Sequence, residues 1–306
     1  RFAIFTIDSA SAKDLDDAIS VTRTRTGGFK LGVHIADVSH YVREGSRLDA
    51  EAITRGTSVY FADRVVPMLP EALSNGVCSL NAGEDKLTFS AIIHLDGEGN
   101  MEKYEFRKSV ICSKVRGVYS EVNEIFAKTA SKELKQKYAP VIRGLNAARE
   151  LANTLKRRAK ERGYMELESV EPQFTLDENG VCVDVKPRRS GEAEEMIEQL
   201  MICANQAAAK LAKEKGLPFV YRVHGHPEQR RIDTLIELLD ALGVSAKEIR
   251  QGEPKTKDFA AILERVRDTP AQRVISHQLL RTMDKARYST EPIGHFGLAL
   301  ADYSHF

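Results

Sequence analysis

No stretch of about 18 consecutive apolar residues occurs in this chain, so no segment reads as a membrane-spanning helix. The longest uncharged apolar runs, such as Phe89 to Leu95, are only of strand length. An excess of either charge is also missing. Lys plus Arg number 45 and Asp plus Glu 44, leaving a formal net charge of +1, which excludes a histone-like basic protein and an acidic solvating tail. Cysteine is scarce: Cys78, Cys112, Cys182 and Cys203 stand at least 20 positions apart, so no C-x-x-C metal or redox pair exists. Cys112, Cys182 and Cys203 sit in apolar stretches and are expected to be buried, reduced thiols of a cytoplasmic protein. No basic-apolar leader opens the chain, and no internal repeat or low-complexity linker interrupts it. The 42% hydrophobic and 29% charged content of the 306 residues is that of an ordinary globular chain rather than a disordered one.

Hydrophobic periodicity divides the chain. Up to about residue 120, β-rich runs alternate with turns: Phe2 to Ile7, Ala18 to Thr22, and Phe29 to Ile35 behind Gly27-Gly28. A hairpin is expected from Leu87 to Leu95 and Met101 to Ile111 around Asp96-Gly97-Glu98-Gly99-Asn100. Another joins Gln173 to Leu176 with Val181 to Val185 through Asn179-Gly180. Asp63 to Asp85, rich in Pro, Gly and Asn, reads mainly as loop. From Pro140 the period changes to three and four. Val141 to Gly163, Glu192 to Lys215, and Pro227 to Gly243 read as helices with glycine or proline punctuation. Shorter helices are expected within Asp258 to Asp268 and Ala271 to Met283. One large α+β domain is the expected architecture.

The densest chemistry lies between the first two strands, where Asp8, Asp14, Asp16 and Asp17 fall in the spacing D-x5-D-x-D-D. Crowding four like charges is costly unless cations neutralise them. All-oxygen donors without nearby Cys or His point to a hard cation, Mg²⁺ or Mn²⁺, rather than Zn²⁺. The spacing is not that of an EF-hand, because neither Asp8 nor Asp14 is followed by the required glycine and glutamate. Two divalent ions about 4 Å apart activate water and stabilise the leaving oxygen in phosphodiester hydrolysis. The other reading of the same residues is a solvated acidic loop that uses aspartate for turns and caps.

The run Thr6-Ile7-Asp8 followed by Lys13-Asp14-Leu15-Asp16-Asp17-Ala18-Ile19 resembles the catalytic opening of the ribonuclease II / ribonuclease R exoribonucleases. Further stretches resemble that family in order: Val33 to Val42, Tyr60 to Pro70, Leu73 to Asn81, and Tyr288 to Leu300. The resemblance implies an RNB-type catalytic domain over residues 1–306, with a twisted, mainly antiparallel sheet surrounded by helices. It implies a hydrolytic 3′→5′ exoribonuclease that releases nucleoside 5′-monophosphates from single-stranded RNA, with no membrane and no obligate protein partner. By the same resemblance Asp8, Asp14 and Asp17 are metal ligands, together with Asp16, whose loss abolishes hydrolysis. Tyr60 matches an aromatic that stacks on the 3′-terminal base, and Glu198 a glutamate at the terminal ribose. At Gly163-Tyr164-Met165-Glu166-Leu167 the sequence departs, since the family often carries a phenylalanine near Leu167 as the second stacking wall.

The ends carry an expectation too. Arg1 leads straight into Phe2-Ala3-Ile4-Phe5, and Phe306 closes the chain without a polar tail, as in a segment of a longer polypeptide. In the family, a Ser-Pro-Ile-Arg-Arg-Tyr run with phosphate-clamping arginines follows the match to Ala301–Phe306, and cold-shock and S1 modules flank the domain. A domain cut short of these parts is expected to be weak or inactive alone. The alternative is a catalytically silent RNA-binding module that keeps the fold.

Histidine supplies weaker signals. His34-x-x-Asp37 and His224-x-His226 have ligand-like spacing, but His34 lies in an apolar strand run and His224 and His226 flank Gly225. A hydrogen-bonded core role is expected for His34, and a loop or packing role for His224 and His226. The basic run Lys156-Arg157-Arg158-x-Lys160-x-Arg162 fits phosphate contact and a solvated helix C-terminus equally well.

Overall fold

The computed structural model describes residues 2–165 and 171–306. Two compact units emerge: residues 1–153 with 170–201, and residues 154–169 with 202–306. The first opens with β1 (Thr6–Asp8), β2 (Asp17–Arg23) and β3 (Phe29–Ala36), followed by the short helices α1 (Val38–Tyr41) and α2 (Arg47–Arg55). The small hairpin β4 (Val59–Tyr60) and β5 (Val65–Val66) comes next, then β6 (Asp85–Leu95), β7 (Met101–Cys112) and β8 (Arg116–Val118). Strands β2-β3-β6-β7 form one antiparallel sheet in that order. One face of this sheet is closely packed: Ile19 and Val21 of β2, Leu31 and Val33 of β3, and Ala91 and Ile93 of β6 stand opposite one another and are almost inaccessible.

A second, separate pairing matters more for the site. Strand β1 lies parallel to β8, with Thr6 opposite Arg116 and Asp8 opposite Val118. The approach is close enough to require glycine at 117, because a Cβ there would lie 2.5 Å from the Thr6 carbonyl oxygen. Helices α3 (Tyr119–Phe126), α4 (Lys132–Tyr138) and α5 (Ile142–Arg162) follow β8. The exposed hairpin β9 (Glu171–Leu176) and β10 (Cys182–Arg188) precedes α6 (Glu192–Glu214).

In the second unit β11 (Tyr221–Val223) pairs with β12 (Arg287–Ser289). Helices α7 (Gln229–Ala241), α8 (Thr256–Arg265) and α9 (Gln272–Thr282) bury Leu235 and Leu239, Phe259 and Ile262, and Ile275 and Leu279 in one cluster. These residues recur at the three- and four-residue spacing that places them on one helix face. His224 is buried here by packing: its Nδ1 accepts from the Gly297 N–H at 2.7 Å, and Nε2 lies 2.8 Å from the Asp284 carbonyl. No helix among the described residues is long and apolar enough to cross a membrane.

The expected hairpins and long helices are present within a few residues of their predicted bounds. Asp63 to Asp85 is not wholly loop, since it contains β5 and one wide helical turn over Ala72–Val77. Cys182 also differs from expectation. It is exposed, because β9 and β10 pair only with each other and all of β10 faces solvent.

Candidate active site

The connection from β1 to β2 carries the four aspartates. Leu15 is its anchor: only 2% exposed, it packs with Ile4, Ala18, Ala36, Cys78, Leu80 and Ile111. With Leu15 turned inward, Asp14 and Asp16 on either side are left at the surface of the turn. Asp8 Oδ1 accepts from the Ser9 N–H at 2.6 Å, and the Ala12 N–H bonds the Ser9 carbonyl at 3.2 Å. Asp17 begins β2 opposite Ile35, and the Ala36 N–H donates to the Asp16 carbonyl at 2.9 Å.

The turn brings the four carboxyls into one electrostatic neighbourhood. Burial raises the Asp8 pKa, the Ser9 N–H opposes that rise, and Asp14 adds to it. Asp16 is exposed as a residue, yet its carboxyl is crowded by protein, and with Asp14 and Asp8 this pushes its pKa up to about 6. Asp17 is driven furthest, to about 7, by burial and then by Asp8 and Asp16. Its Oδ2 is buried without a hydrogen-bond partner. Such crowding disfavours ionisation until a cation arrives.

Tyr60 projects from the β4–β5 hairpin beside these groups. It is 68% exposed, and partial burial of its hydroxyl followed by Asp14, Asp16 and Asp8 raises its pKa. A mostly exposed ring next to a carboxylate cluster is available for stacking. Glu198 lies on the exposed side of α6. One turn earlier, Glu194 accepts from Asn123 Nδ2 and from the Gly191 N–H, both at 3.0 Å. Glu194 acts on Tyr119, a half-buried residue at the start of α3 whose pKa is raised by burial, then by Asp17, Asp8 and Glu194. Arg188, at the end of β10, favours ionisation of both Asp8 and Tyr119. The position of Leu167 lies outside the described residues.

Tyr119 and Arg188 went unnoticed in the sequence, and Glu194 stood out there only as a close neighbour of Glu198. Each is a single residue without a motif, brought to the aspartates from about 100 positions or more along the chain.

Among the described residues no three Asp, Glu, His or Cys side chains converge tightly enough to enclose an ion. The donor chemistry nevertheless fits a hard cation. Four neighbouring carboxyls and one buried, unpartnered carboxylate oxygen offer oxygen ligands and little else.

The profile of the RNB domain matches residues 1–306 without a gap at either end. The chain belongs to the RNB domain family. This RNB domain is similar to the ribonuclease R of Thermotoga maritima, 46% identical over 304 residues that make up 99% of this chain and 42% of that protein. The ribonuclease R of Escherichia coli is 38% identical over 304 residues, covering 99% of this chain and 37% of its own. Among solved structures, Mycoplasma genitalium RNase R in complex with double-stranded RNA matches with a TM-score of 0.94 at 33% identity, covering 100% of this chain and 54% of that one. The chain thus spans less than half the length of these two curated relatives. The α+β architecture of the RNB domain agrees with the match to RNase R.

Proposed function

We propose that this RNB domain is the catalytic unit of a 3′→5′ exoribonuclease that hydrolyses single-stranded RNA to nucleoside 5′-monophosphates with Mg²⁺, or Mn²⁺ in its place. The observation that carries the reading is the turn itself: Asp8, Asp14, Asp16 and Asp17 crowd one another, Asp17 Oδ2 has no partner, and Tyr60 stands beside them. The similarity to ribonuclease R, and the RNA bound in the Mycoplasma genitalium structure, support RNA as the polymer.

In this reading Asp8, Asp14 and Asp17, with Asp16, hold the divalent ions. When bound, these lower the pKa of water and stabilise charge on the leaving oxygen. Tyr60 stacks on the terminal base, which tolerates any sequence because every base has a π-face. Glu198 faces the terminal ribose, where a 2′-hydroxyl contact separates RNA from DNA. Asp16 orients the attacking water toward phosphorus. The P–O3′ bond then breaks, the released nucleotide keeps its 5′-phosphate, and the shortened strand's 3′-oxygen takes up a proton. The 306 residues correspond to 42% and 37% of the length of two ribonuclease R relatives, so weak binding and slow cleavage are expected of them alone.

The test is a gel assay on 5′-labelled single-stranded RNA with Mg²⁺, run on the parent chain and on Asp16→Asn. The parent should shorten the RNA slowly and stepwise from the 3′ end, and Asp16→Asn should bind as the parent does but not cut. Turnover retained in Asp16→Asn would overturn the assignment. A parent that binds without cutting would favour the silent module.

A further inference from the structure

We infer that Arg116 and Ser79 are positioning residues that brace successive halves of the aspartate turn and so set the spacing of its carboxylates for metal binding. The inference rests on the metal reading above.

Its first support is Arg116. One guanidinium nitrogen, Nη2, donates to the carbonyl of Ala10 at 3.2 Å and to that of Ala12 at 2.6 Å. Arg116 also sits opposite Thr6 in the parallel β1–β8 pair, two residues before Asp8. The strand that presents Asp8 and the turn that leaves it are therefore tied to the same residue.

Ser79 secures the other half. Its Oγ donates to the Lys13 carbonyl at 2.8 Å and accepts from the Leu15 N–H at 3.1 Å. The neighbouring Leu80 N–H donates to the Leu15 carbonyl at 2.9 Å. Asp14 is thus bracketed on both sides by bonds to one segment. Ser79 is fully buried, so its hydroxyl has no water to turn to. It lies in Leu73 to Asn81, a stretch with sequence resemblance but no carboxylate of its own.

Location separates this role from general stabilisation. The bonds from Arg116 and Ser79 fall on residues 10, 12, 13 and 15, between the carboxylates rather than in the sheet or a helix. An aspartate carboxyl stands one methylene from its backbone, so the path of the turn decides where its oxygens go. Mutual repulsion among four carboxylates tends to open such a turn. Partners that hold ligands from outside the coordination shell typically govern affinity by about 10–100-fold.

The experiment is calorimetric titration of Mn²⁺ into the metal-stripped chain for the parent, Arg116→Gln, Arg116→Lys, Ser79→Ala and Asp14→Asn. Arg116→Gln and Ser79→Ala should each weaken binding by about tenfold or more, with melting and near-ultraviolet circular dichroism showing a retained fold. Arg116→Lys should recover part of the loss, because an ammonium still reaches one carbonyl. Hydrogen exchange should speed at the Leu15 amide in Ser79→Ala. If Arg116→Gln and Ser79→Ala bind Mn²⁺ like the parent while Asp14→Asn does not, the braces are refuted and the metal reading stands. If Asp14→Asn also binds like the parent, both fall. Should Arg116→Gln fail to fold, Arg116→Lys decides: parental affinity with increased exchange at Ala12 would overturn the role of Arg116.

Discussion

His34 Nδ1 lies 2.7 Å from Ser90 Oγ, directly across the β3–β6 pair where the register sets the two residues opposite each other. On the other side His34 Nε2 meets Ser20 Oγ at 3.2 Å, and Ser90 Oγ continues to Ser109 Oγ at 2.6 Å. A chain of polar groups therefore crosses all four strands of the sheet. Gly32 leaves room for it, since a Cβ there would come within 2.5 Å of Ser20 Oγ. His34 is a core histidine, as its apolar strand setting predicts.

A pH dependence follows from that burial, which lowers the His34 pKa from 6.5 to about 4. The unfolded chain takes up this proton more readily than the folded one. The stabilisation is complete above pH 6.5 and is lost as pH falls through about 4. Urea unfolding of the parent and His34→Gln at neutral pH and near pH 4 should show the parent losing more, by up to roughly 3 kcal/mol. Parallel losses in the two proteins would exclude His34 as the cause.

Thiol chemistry provides an independent check on the second hairpin. Cys182 is exposed, whereas burial pushes the Cys203 thiol up to about 12. A maleimide at neutral pH should therefore label Cys182 quickly in the native chain and Cys203 only after denaturation. Mass spectrometry of the labelled peptides reads the order, and equal rates would contradict the placement of β10.

The same cysteine marks where sequence reasoning stops. Apolar residues around 182 give a correct strand, but nothing local states whether another layer covers it. Helices α5 to α7 were legible because their periodicity and glycine stops are local, α8 and α9 from composition and spacing alone, and the β6–β7 hairpin because its turn residues are local. The β1–β8 pairing joins residues about 110 positions apart, which no local pattern encodes. The site divides along the same line. Four aspartates within ten positions announce themselves, and the resemblance adds Tyr60. Arg116, Ser79 and Tyr119 act through pairs of hydrogen bonds or through fields from distant segments and leave no spacing to detect.

Tyr60 allows a binding test that does not depend on the metal, with end-product length as a second readout. If its exposed ring stacks on the terminal base, Tyr60→Ala should weaken binding of a short single-stranded RNA by about 1–3 kcal/mol, while Tyr60→Phe stays near the parent. Fluorescence anisotropy reads the affinity, and gel analysis of end products should show a changed limit length for Tyr60→Ala alone. Identical affinity and end products in parent and Tyr60→Ala would remove the stacking role.

Asp17 ties stability to the metal. Its carboxyl titrates at about 7 and that of Asp16 at about 6, both above the ordinary 3.8, so the folded chain holds these protons more tightly than the unfolded one. Their contribution is complete below about pH 4 and is lost as pH rises through 6 and 7. This is opposite in sign to His34 over an overlapping window, so the melting profile of the parent mixes the two effects. Asp17→Asn separates them, because it removes one buried charge and leaves His34 in place. In chelator at pH 8, Asp17→Asn should melt above the parent. Added Mg²⁺ should raise the melting temperature of the parent through binding to the folded state, and that of Asp17→Asn much less. Equal melting temperatures for the two proteins, with and without Mg²⁺, would show that Asp17 neither carries a suppressed charge nor holds the ion.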